Sequence, residues 1–237
     1  MSLKVLDAQG DGSSMNVVRA LEYIRTTINS QKLQRVHGVN LSVGYEFDAN
    51  WFACGQSPIC VAVDRLVRSG VVVVVAAGNT GYATLITTQR QSSLVLTMSI
   101  NDPGNAERAS TVGATHRDMP HVYGVSYFSS KGPTGDGRRK PDLVAPGERI
   151  ASCAAGRDLG AIPHTSGDTV YVEASGTSEA APHVSGAIAG FLSVRGEFIG
   201  QPERVKQIFT QAAISLGREG YFQGDGLVDL MRAIQSV

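Results

Sequence analysis

The sequence predicts an α/β protein with a mostly parallel central sheet and helices on both faces. Three observations indicate this fold class. The first half of the chain alternates strand patterns with helix patterns. The unbroken apolar run at residues 71–77, VVVVVAA, is typical of a parallel strand that is buried on both faces. The 237 residues include 27 glycines and are 42% apolar, which suits one large domain with many tight turns.

The first elements follow from their apolar spacing. A strand is predicted at residues 3–6, where the chain opens. A helix over residues 14–29 follows a Gly/Asp/Ser turn, and four apolar residues share one of its faces: Val17, Leu21, Ile24 and Ile28. A second strand is predicted at residues 39–44. This order predicts the first strand–helix–strand unit of the sheet.

The next helix has the clearest boundaries in the chain. Ser57 is its expected N-cap, Pro58 occupies the first helical position, and Gly70 lies just past the end. The 71–77 strand comes directly after it and leads into Gly78 and Asn79.

The second half of the chain is less regular. Short strands or turns are predicted at residues 111–115, 127–130 and 142–147. A helix rich in small residues begins near Ser178. A last amphipathic helix is predicted over residues 202–216, with Val205, Ile208, Phe209 and Ala212 on its buried face. The sequence contains no repeat or linker, so we predict one domain.

Composition excludes several classes of partner. Basic and acidic residues number 21 each, so no basic field attracts nucleic acid or anionic lipid. The longest apolar run has seven residues, whereas a membrane-spanning helix needs about 20. The opening residues show no signal-peptide pattern. We therefore expect neither nucleic acid nor a membrane as a partner.

The three cysteines and one glycine pair carry little information. Cys54 and Cys60 share a short loop and either form a bridge or remain free thiols, and no metal-ligand spacing is present. Gly10 and Gly12 do not make a dinucleotide fingerprint, because no third glycine follows.

A serine is presented where a nucleophile could act. Ser178 follows a glycine at the predicted helix start in GTSEAAPHVSG, where backbone N–H groups and the positive helix end favour a developing oxyanion. Pro182 is compatible with the helix if it falls in the first turn. An ordinary N-cap serine would look the same locally. Ser178 alone therefore does not decide the function.

Asn79 follows the carboxyl end of the buried strand, where ligand sites of open parallel sheets lie. Its side-chain amide could donate a hydrogen bond to the same oxyanion. By itself, an asparagine at this place is also an ordinary turn residue.

Taken together, these stretches resemble the subtilisin-like serine proteases, the subtilases. The resemblance rests on VVVVVAAGNTG, GTSEAAPHVSGAIAGFLS and the Ser-Ser-x-Gly-Pro and Ala-Pro-Gly landmarks between them, and it runs nearly end to end. It implies that Ser178 is the nucleophile and Asn79 the oxyanion donor. It further implies that the substrate is a peptide or protein, bound by six residues: Ser42, Val43, Gly44, Ala77, Gly78 and Thr177.

The family's general base and its orienting aspartate have no match in the sequence. The His-Gly-Thr-His-like and Asp-Thr/Ser-Gly motifs are absent. The five histidines present, His37, His116, His121, His164 and His183, are interpreted as structural or solvated; His183 is expected to face the packing side of its helix. Asp7 lacks the following Thr/Ser-Gly, and Asp64 is expected inside a helix.

In the family the Asp and His motifs precede the serine. We expect both motifs to lie before Leu3, so that residues 1–237 are a partial catalytic domain without the family's aspartate strand. The absence of that strand would expose sheet edges.

 The isolated chain is therefore expected to be inactive. It is also expected either to close the gap left by the missing strand, by shifting residues 3–6, or to self-associate through the exposed sheet edges.

One region departs from compact members of the family. Residues 82–104 are interpreted as an insertion, in which Leu94, Leu96, Met98 and Ile100 alternate with other residues and predict a strand with one buried face. It either forms a wall of the cleft or is an embellishment remote from substrate. Glu179 stands where the family commonly has methionine.

Three functional hypotheses remain. The first is a serine endopeptidase, and the second is a protease-like binding or scaffold domain without catalysis. An esterase is the third and is disfavoured, because residues 176–180 lack the second glycine of the G-x-S-x-G turn. The resemblance also implies an extracellular or periplasmic location, although the family has intracellular members, and it allows structural calcium without identifying its ligands.

Overall fold

The computed structural model describes residues 1–30, 33–45, 50, 53–86, 91–162 and 169–237, without the side chains of residues 156–158. The helices are α1 (Ser14–Tyr23), α2 (Pro58–Arg68), α3 (Pro120–Tyr123), α4 (Gly156–Ala161), α5 (Thr177–Val194), α6 (Pro202–Ala212), α7 (Gly220–Gln223) and α8 (Leu230–Gln235). The strands are β1 (Gly38–Leu41), β2 (Val72–Ala76), β3 (Tyr82–Ile86), β4 (Gln91–Val95), β5 (Ser110–Thr115), β6 (Leu143–Pro146), β7 (Ile150–Cys153) and β8 (Tyr171–Ala174). A π-helical turn, Ile24–Ile28, extends α1.

The central sheet is parallel and has the strand order β1-β2-β5-β6. Every residue of β2 is buried, and its side chains alternate between two apolar layers. Val72 and Val74 pack with α5 and α6, whereas Val73 and Val75 pack with α1 and α2. The predicted fold class, a mostly parallel sheet with helices on both faces, is confirmed.

Local sequence patterns located several elements correctly. The side chain of Ser57 accepts a hydrogen bond from the Cys60 N–H at the start of α2, and Gly70 has a positive φ of 97° just past the end of that helix. The predicted buried face of α6 is also confirmed, although the helix ends at Ala212. The chain then turns away, because Ile214 forms an antiparallel bridge with Leu227.

The predicted strand at residues 3–6 is wrong. This segment has no strand structure and no backbone hydrogen bond to β1, although Leu3 and Val5 pack against the α1–α2 layer. A pocket of about 600 Å³ lies between the segment and β1. A strand needs a hydrogen-bonded neighbour, and residues 3–6 lie too far from β1 to supply one. The gap is therefore not closed by this segment.

One further strand prediction needs correction, and one open alternative is decided. The strand predicted at residues 39–44 ends at Leu41, because the hydroxyl and carbonyl of Ser42 bond to Ser178 rather than to a neighbouring strand. Residues 127–130, predicted as a short strand or a turn, form a turn, in which the Ser129 N–H donates to Ser126 O.

The predicted buried face between Leu94 and Ile100 is also wrong in part. Strands β3 and β4 form an antiparallel hairpin outside the central sheet, and Leu94, Leu96 and Met98 are exposed. Ile100 alone of the four is buried, because the chain has returned to the core there. Only Leu94 of the four lies in the hairpin, and Leu96 and Met98 follow the end of β4 on the surface.

Cys54, Cys60 and Cys153 are free thiols in the structure, so the alternative of a Cys54–Cys60 bridge is not realised. Burial raises the pKa of the Cys60 thiol. Across the described ranges, no group of three His, Cys, Asp or Glu side chains is placed to hold a metal ion. None of the described helices is both long enough and apolar enough to cross a membrane.

Candidate active site

Ser178 and Asn79 line one pocket, although they are 99 residues apart in the sequence. Asn79 follows the carboxyl end of β2, and Ser178 is the second residue of α5. The pocket has a volume of about 370 Å³ and is bordered by Val43 and Gly44 on one side. We call it the Ser178 pocket. The fold therefore brings the predicted nucleophile and the predicted oxyanion donor together.

Hydrogen bonds fix the orientation of the Asn79 amide. Its Oδ1 accepts from the Thr177 N–H at 2.9 Å and from the Thr177 hydroxyl at 3.1 Å. Thr177 is fully buried, and its Oγ1 in turn accepts from the Gly78 N–H at 3.0 Å. Because both bonds use the carbonyl oxygen of the Asn79 side chain, its NH₂ group is left available as a donor.

A second donor comes from the helix itself. The first amide groups of a helix have no partner within it. The Thr177 N–H donates to Asn79 and the Glu179 N–H to Gly176 O, but the Ser178 N–H has no acceptor within the described part of the chain. The positive end of α5 adds to its attraction for an anion. The pocket can therefore stabilise an oxyanion with two donors.

Pro182 explains the contact between α5 and Ser42. The sequence allowed this proline in the first turn, but it is the sixth residue of α5. Without an N–H, Pro182 cannot donate to the carbonyl of Ser178, four residues earlier. The Ser42 hydroxyl replaces that donor at 2.8 Å, and the Ser178 hydroxyl donates to Ser42 O at 3.3 Å. These reciprocal bonds hold the nucleophile candidate against the end of β1.

Of the remaining predicted substrate-binding residues, four line the Ser178 pocket and one does not. Gly78 and Thr177 line the Ser178 pocket with Val43 and Gly44. Ala77 does not line it, because Ala77 is buried and both of its backbone groups are bonded: its N–H donates to Val112 O, and its carbonyl accepts from the Asn101 N–H.

Sequence reasoning missed Thr80 and Asn101, which also line the pocket. The Thr80 hydroxyl donates to Asn101 Oδ1 at 2.9 Å, and the Asn101 side chain packs so closely on Gly78 that an added Cβ would lie 2.6 Å from it. Asn101 comes at the end of the predicted insertion. No local pattern could place it beside β2, since only the tertiary fold brings it there.

The Lys131 side chain links Gly81, just before the β3–β4 hairpin, to the loop around Tyr127 through hydrogen bonds. Its ammonium group is buried and donates to Ser129 O at 2.7 Å, Tyr127 O at 3.0 Å and Gly81 O at 3.3 Å. Burial lowers the pKa of Lys131 to about 8. The neighbouring Ser130 N–H donates to Gly78 O, so this loop also supports the backbone next to Asn79.

No described histidine lies in the Ser178 pocket. His37 bonds to Gln34 O, and His116 accepts from the N–H groups of Asp118 and Met119. His121 is exposed on α3, and His164 lies outside the described residues. His183 contacts Glu179 O, and it is exposed rather than facing the packing side. The reason is that the buried face of α5 is formed by Ala180, Ala181, Val184 and Ile188.

Neither rejected aspartate reaches the pocket. Asp64 lies in α2 as predicted, and its carboxylate accepts from the Arg108 N–H at 2.9 Å. Asp7 closes a local turn by accepting from the N–H groups of Gln9 and Asp11.

Asn79 also lines a second pocket. It has a volume of about 340 Å³, and its lining residues are Asn79, Tyr127, Phe128, Glu148 and Ser175. We call it the Tyr127 pocket. The ring of Tyr82, the first residue of β3, contacts the Tyr127 ring edge-on at 5.4 Å. The base of the hairpin therefore lies directly behind the wall of this pocket.

A parallel sheet that brings a serine at a helix N-terminus and a strand-end asparagine to one pocket is the arrangement of the subtilisin-like class of α/β proteins. The chain belongs to the subtilase family, since the profile of that family matches residues 1–228.

Named relatives agree with this assignment. The chain is 30% identical over 270 residues to pyrolysin of Pyrococcus furiosus, covering 98% of this chain and 17% of pyrolysin. It is 29% identical over 234 residues to a thermostable alkaline protease of Halalkalibacterium halodurans, covering 99% of this chain and 50% of that protease. The self-cleaved protease domain of PatA matches with a TM-score of 0.67 at 25% identity, covering 97% of this chain and 70% of that domain. The chain thus spans half or less of the length of these two curated relatives.

Proposed function

We propose that this chain carries the nucleophile and the oxyanion donors of a serine endopeptidase. The observation that supports this most directly is the orientation of Asn79, whose carbonyl oxygen is held by Thr177 so that its NH₂ group can serve the Ser178 pocket. The Ser178 hydroxyl attacks the carbonyl carbon of the scissile bond, and Asn79 Nδ2 and the Ser178 N–H bind the oxyanion.

The proton of Ser178 passes to a general base and then to the leaving amine, after which water hydrolyses the acyl-enzyme and restores the serine. No described residue of the pocket can act as that base. The sequence also lacks the family's histidine and aspartate motifs, and on that ground we assign the base and its orienting aspartate to a segment outside residues 1–237. The free edge of β1, beside the 600 Å³ pocket, offers backbone groups with which such a segment could pair.

The experiment compares the isolated chain with the full natural protein that contains it, using an unfolded protein as substrate. The full protein should cleave it, and Ser178→Ala should lower kcat by about 10⁶-fold, the size of the effect in subtilisin. The isolated chain should show no cleavage. Cleavage by the isolated chain that Ser178→Ala abolishes would show that the base lies within this chain.

A second candidate is a protease-like binding domain without catalysis. The specific observation in its favour is that the Ser178 pocket contains no histidine among the described residues. It predicts that the full natural protein binds unfolded polypeptides but does not cleave them, and that Ser178→Ala leaves binding unchanged.

A further inference from the structure

We propose that the Tyr127 pocket binds a lysine or arginine side chain, namely that of the substrate residue immediately after the scissile bond. This inference rests on the proposed function, because it needs the substrate carbonyl to sit at Asn79 and Ser178. It specifies which side chain the substrate carries on the leaving side of the site, that is, in the part that departs with the amine.

The position of the pocket assigns it to the leaving side. Asn79 lines both pockets, so a carbonyl bound by its amide lies next to each of them. Val43 and Gly44, which the family resemblance implies bind the substrate backbone, border only the Ser178 pocket. The Tyr127 pocket is therefore left for the residue that departs with the amine.

The walls of the Tyr127 pocket suit a long cationic side chain. The Tyr127 side chain is 67% exposed, and its ring is held edge-on by Tyr82 and Phe128, each with its ring centroid 5.4 Å away. Glu148 supplies a carboxylate to the same pocket. An aromatic face attracts an ammonium or guanidinium group, and the carboxylate adds an ion pair to it.

The cations around this pocket are already engaged. Arg149 pairs with Glu173, and Arg117 pairs with Asp118. The Lys131 ammonium is directed to backbone carbonyls, including that of Tyr127 itself. In the described part of the chain, Glu148 therefore has no ion-pair partner that a substrate would have to displace.

Glu179 adds negative charge close to Gly176 and Asn79. Its Oε2 lies so close to Gly176 that a Cβ added there would be 2.6 Å from it, and Asn79 Nδ2 would be 3.2 Å from the same point. Glu179 also has no ion-pair partner in the described ranges. Because like charges repel, an acidic side chain after the scissile bond should be disfavoured.

The test measures binding without turnover, by NMR titration of the isolated chain with three product-like peptides. They are Lys-Ala-Ala-amide, norleucine-Ala-Ala-amide and Glu-Ala-Ala-amide, which differ only in the first side chain. The lysine peptide should shift the Tyr127 ring signals and bind about fivefold more tightly than the norleucine peptide, with the glutamate peptide weakest. Glu148→Gln should reduce the lysine preference. Glu107→Gln, an exposed carboxylate remote from the pocket, should leave it unchanged.

A second measurement uses the full natural protein and a mixture of peptides from a digested proteome. Lysine and arginine should be enriched directly after the cleaved bonds, and Glu148→Gln should reduce that enrichment. Equal binding of the lysine and norleucine peptides, or no binding of either, would overturn the inference, as would a lysine preference that Glu148→Gln does not change. Cleavage without enrichment of basic residues would overturn it while leaving the proposed protease function intact.

Discussion

At the scale of single residues, Pro182 and Ser42 form one unit. The proline removes a helical donor from the Ser178 carbonyl, and the serine hydroxyl supplies another from outside the helix. The nucleophile candidate is thus tied to β1 because its own helix cannot complete the hydrogen bonding of its backbone.

This pairing makes a double-mutant prediction. Ser42→Ala should lower the free energy of unfolding by about 1 kcal/mol, because the Ser178 carbonyl loses its donor. In the Pro182→Ala background, the restored N–H can reach that carbonyl, so the same substitution should cost less. Urea unfolding of the four variants measures the difference.

Ser193→Ala is a matched control for this cycle, since its hydroxyl also donates to a helix carbonyl, Gly190 O, but is exposed. It should cost little in either background. Equal costs of Ser42→Ala with and without Pro182 would contradict the link between the two residues.

Asn79 is the residue whose role is most open to direct measurement. In the full natural protein, Asn79→Ala should lower kcat by about 10²-fold to 10³-fold with little change in KM, as for an oxyanion donor in subtilisin. The reason is that the amide would bind the charge that develops in the transition state rather than the ground-state carbonyl. Asn16→Ala, on the exposed face of α1, serves as the control. A rise in KM with unchanged kcat would instead indicate a role in substrate binding.

At the scale of elements, Asp142 joins three of them. Its carboxylate, just before β6, accepts from Lys140 Nζ at 2.6 Å, from the Thr111 N–H of β5 at 2.7 Å, and from Lys206 Nζ of α6 at 2.9 Å. Burial alone would raise the pKa of Asp142, but the charges of Lys140 and Lys206 outweigh it and hold that pKa below its ordinary value.

The low pKa predicts an acid-dependent loss of stability. A carboxyl group whose pKa is lower in the folded than in the unfolded state stabilises the fold fully above its unfolded value, near 3.9. That contribution disappears as the pH falls through the folded pKa. Asp142→Asn should therefore lower the free energy of unfolding by about 3 kcal/mol at pH 7, because it leaves buried cations unpaired.

Denaturant unfolding between pH 7 and pH 3 is the measurement. The loss of stability on acidification should be smaller in Asp142→Asn than in the unsubstituted chain. Asp11→Asn, an exposed carboxylate in the N-terminal turn, is expected to unfold like the unsubstituted chain at each pH. Parallel pH profiles for the Asp142 variant and the unsubstituted chain would refute the assignment.

Local sequence patterns predicted some of these elements correctly and others not. The boundaries of α2 and the double burial of β2 follow from residues next to one another, Ser57 and Pro58 in one case and the valines of residues 71–75 in the other. Residues 3–6 have a strand pattern too, but the strand requires a partner that the segment does not have. Asn79 and Ser178 were predictable from their motifs, whereas Asn101 reaches the pocket only through the fold.

At the scale of the whole molecule, the edge of β1 is the exposed part of the sheet. Its outer backbone groups have no strand partner in the described residues, and apolar side chains line the neighbouring 600 Å³ pocket. Such an edge can pair with another chain. We predict that the isolated chain self-associates, which light scattering would show as a molecular mass that rises with concentration.

Val39→Lys places a charge on this edge and should shift the chain toward the monomer. Val194→Lys alters an exposed valine at the end of α5 and should not. A monomer at every concentration in the unsubstituted chain would rule out self-association.

The alternating burial of β2 has a consequence for how the protein unfolds. Val72 and Val74 pack in one apolar layer, and Val73 and Val75 pack in the other. Adjacent residues of a single strand therefore belong to opposite sides of the sheet. Neither layer can open without disturbing the backbone on which the other is built. The amide protons of β2 should consequently exchange with solvent only through global unfolding, and both layers should melt in one cooperative step.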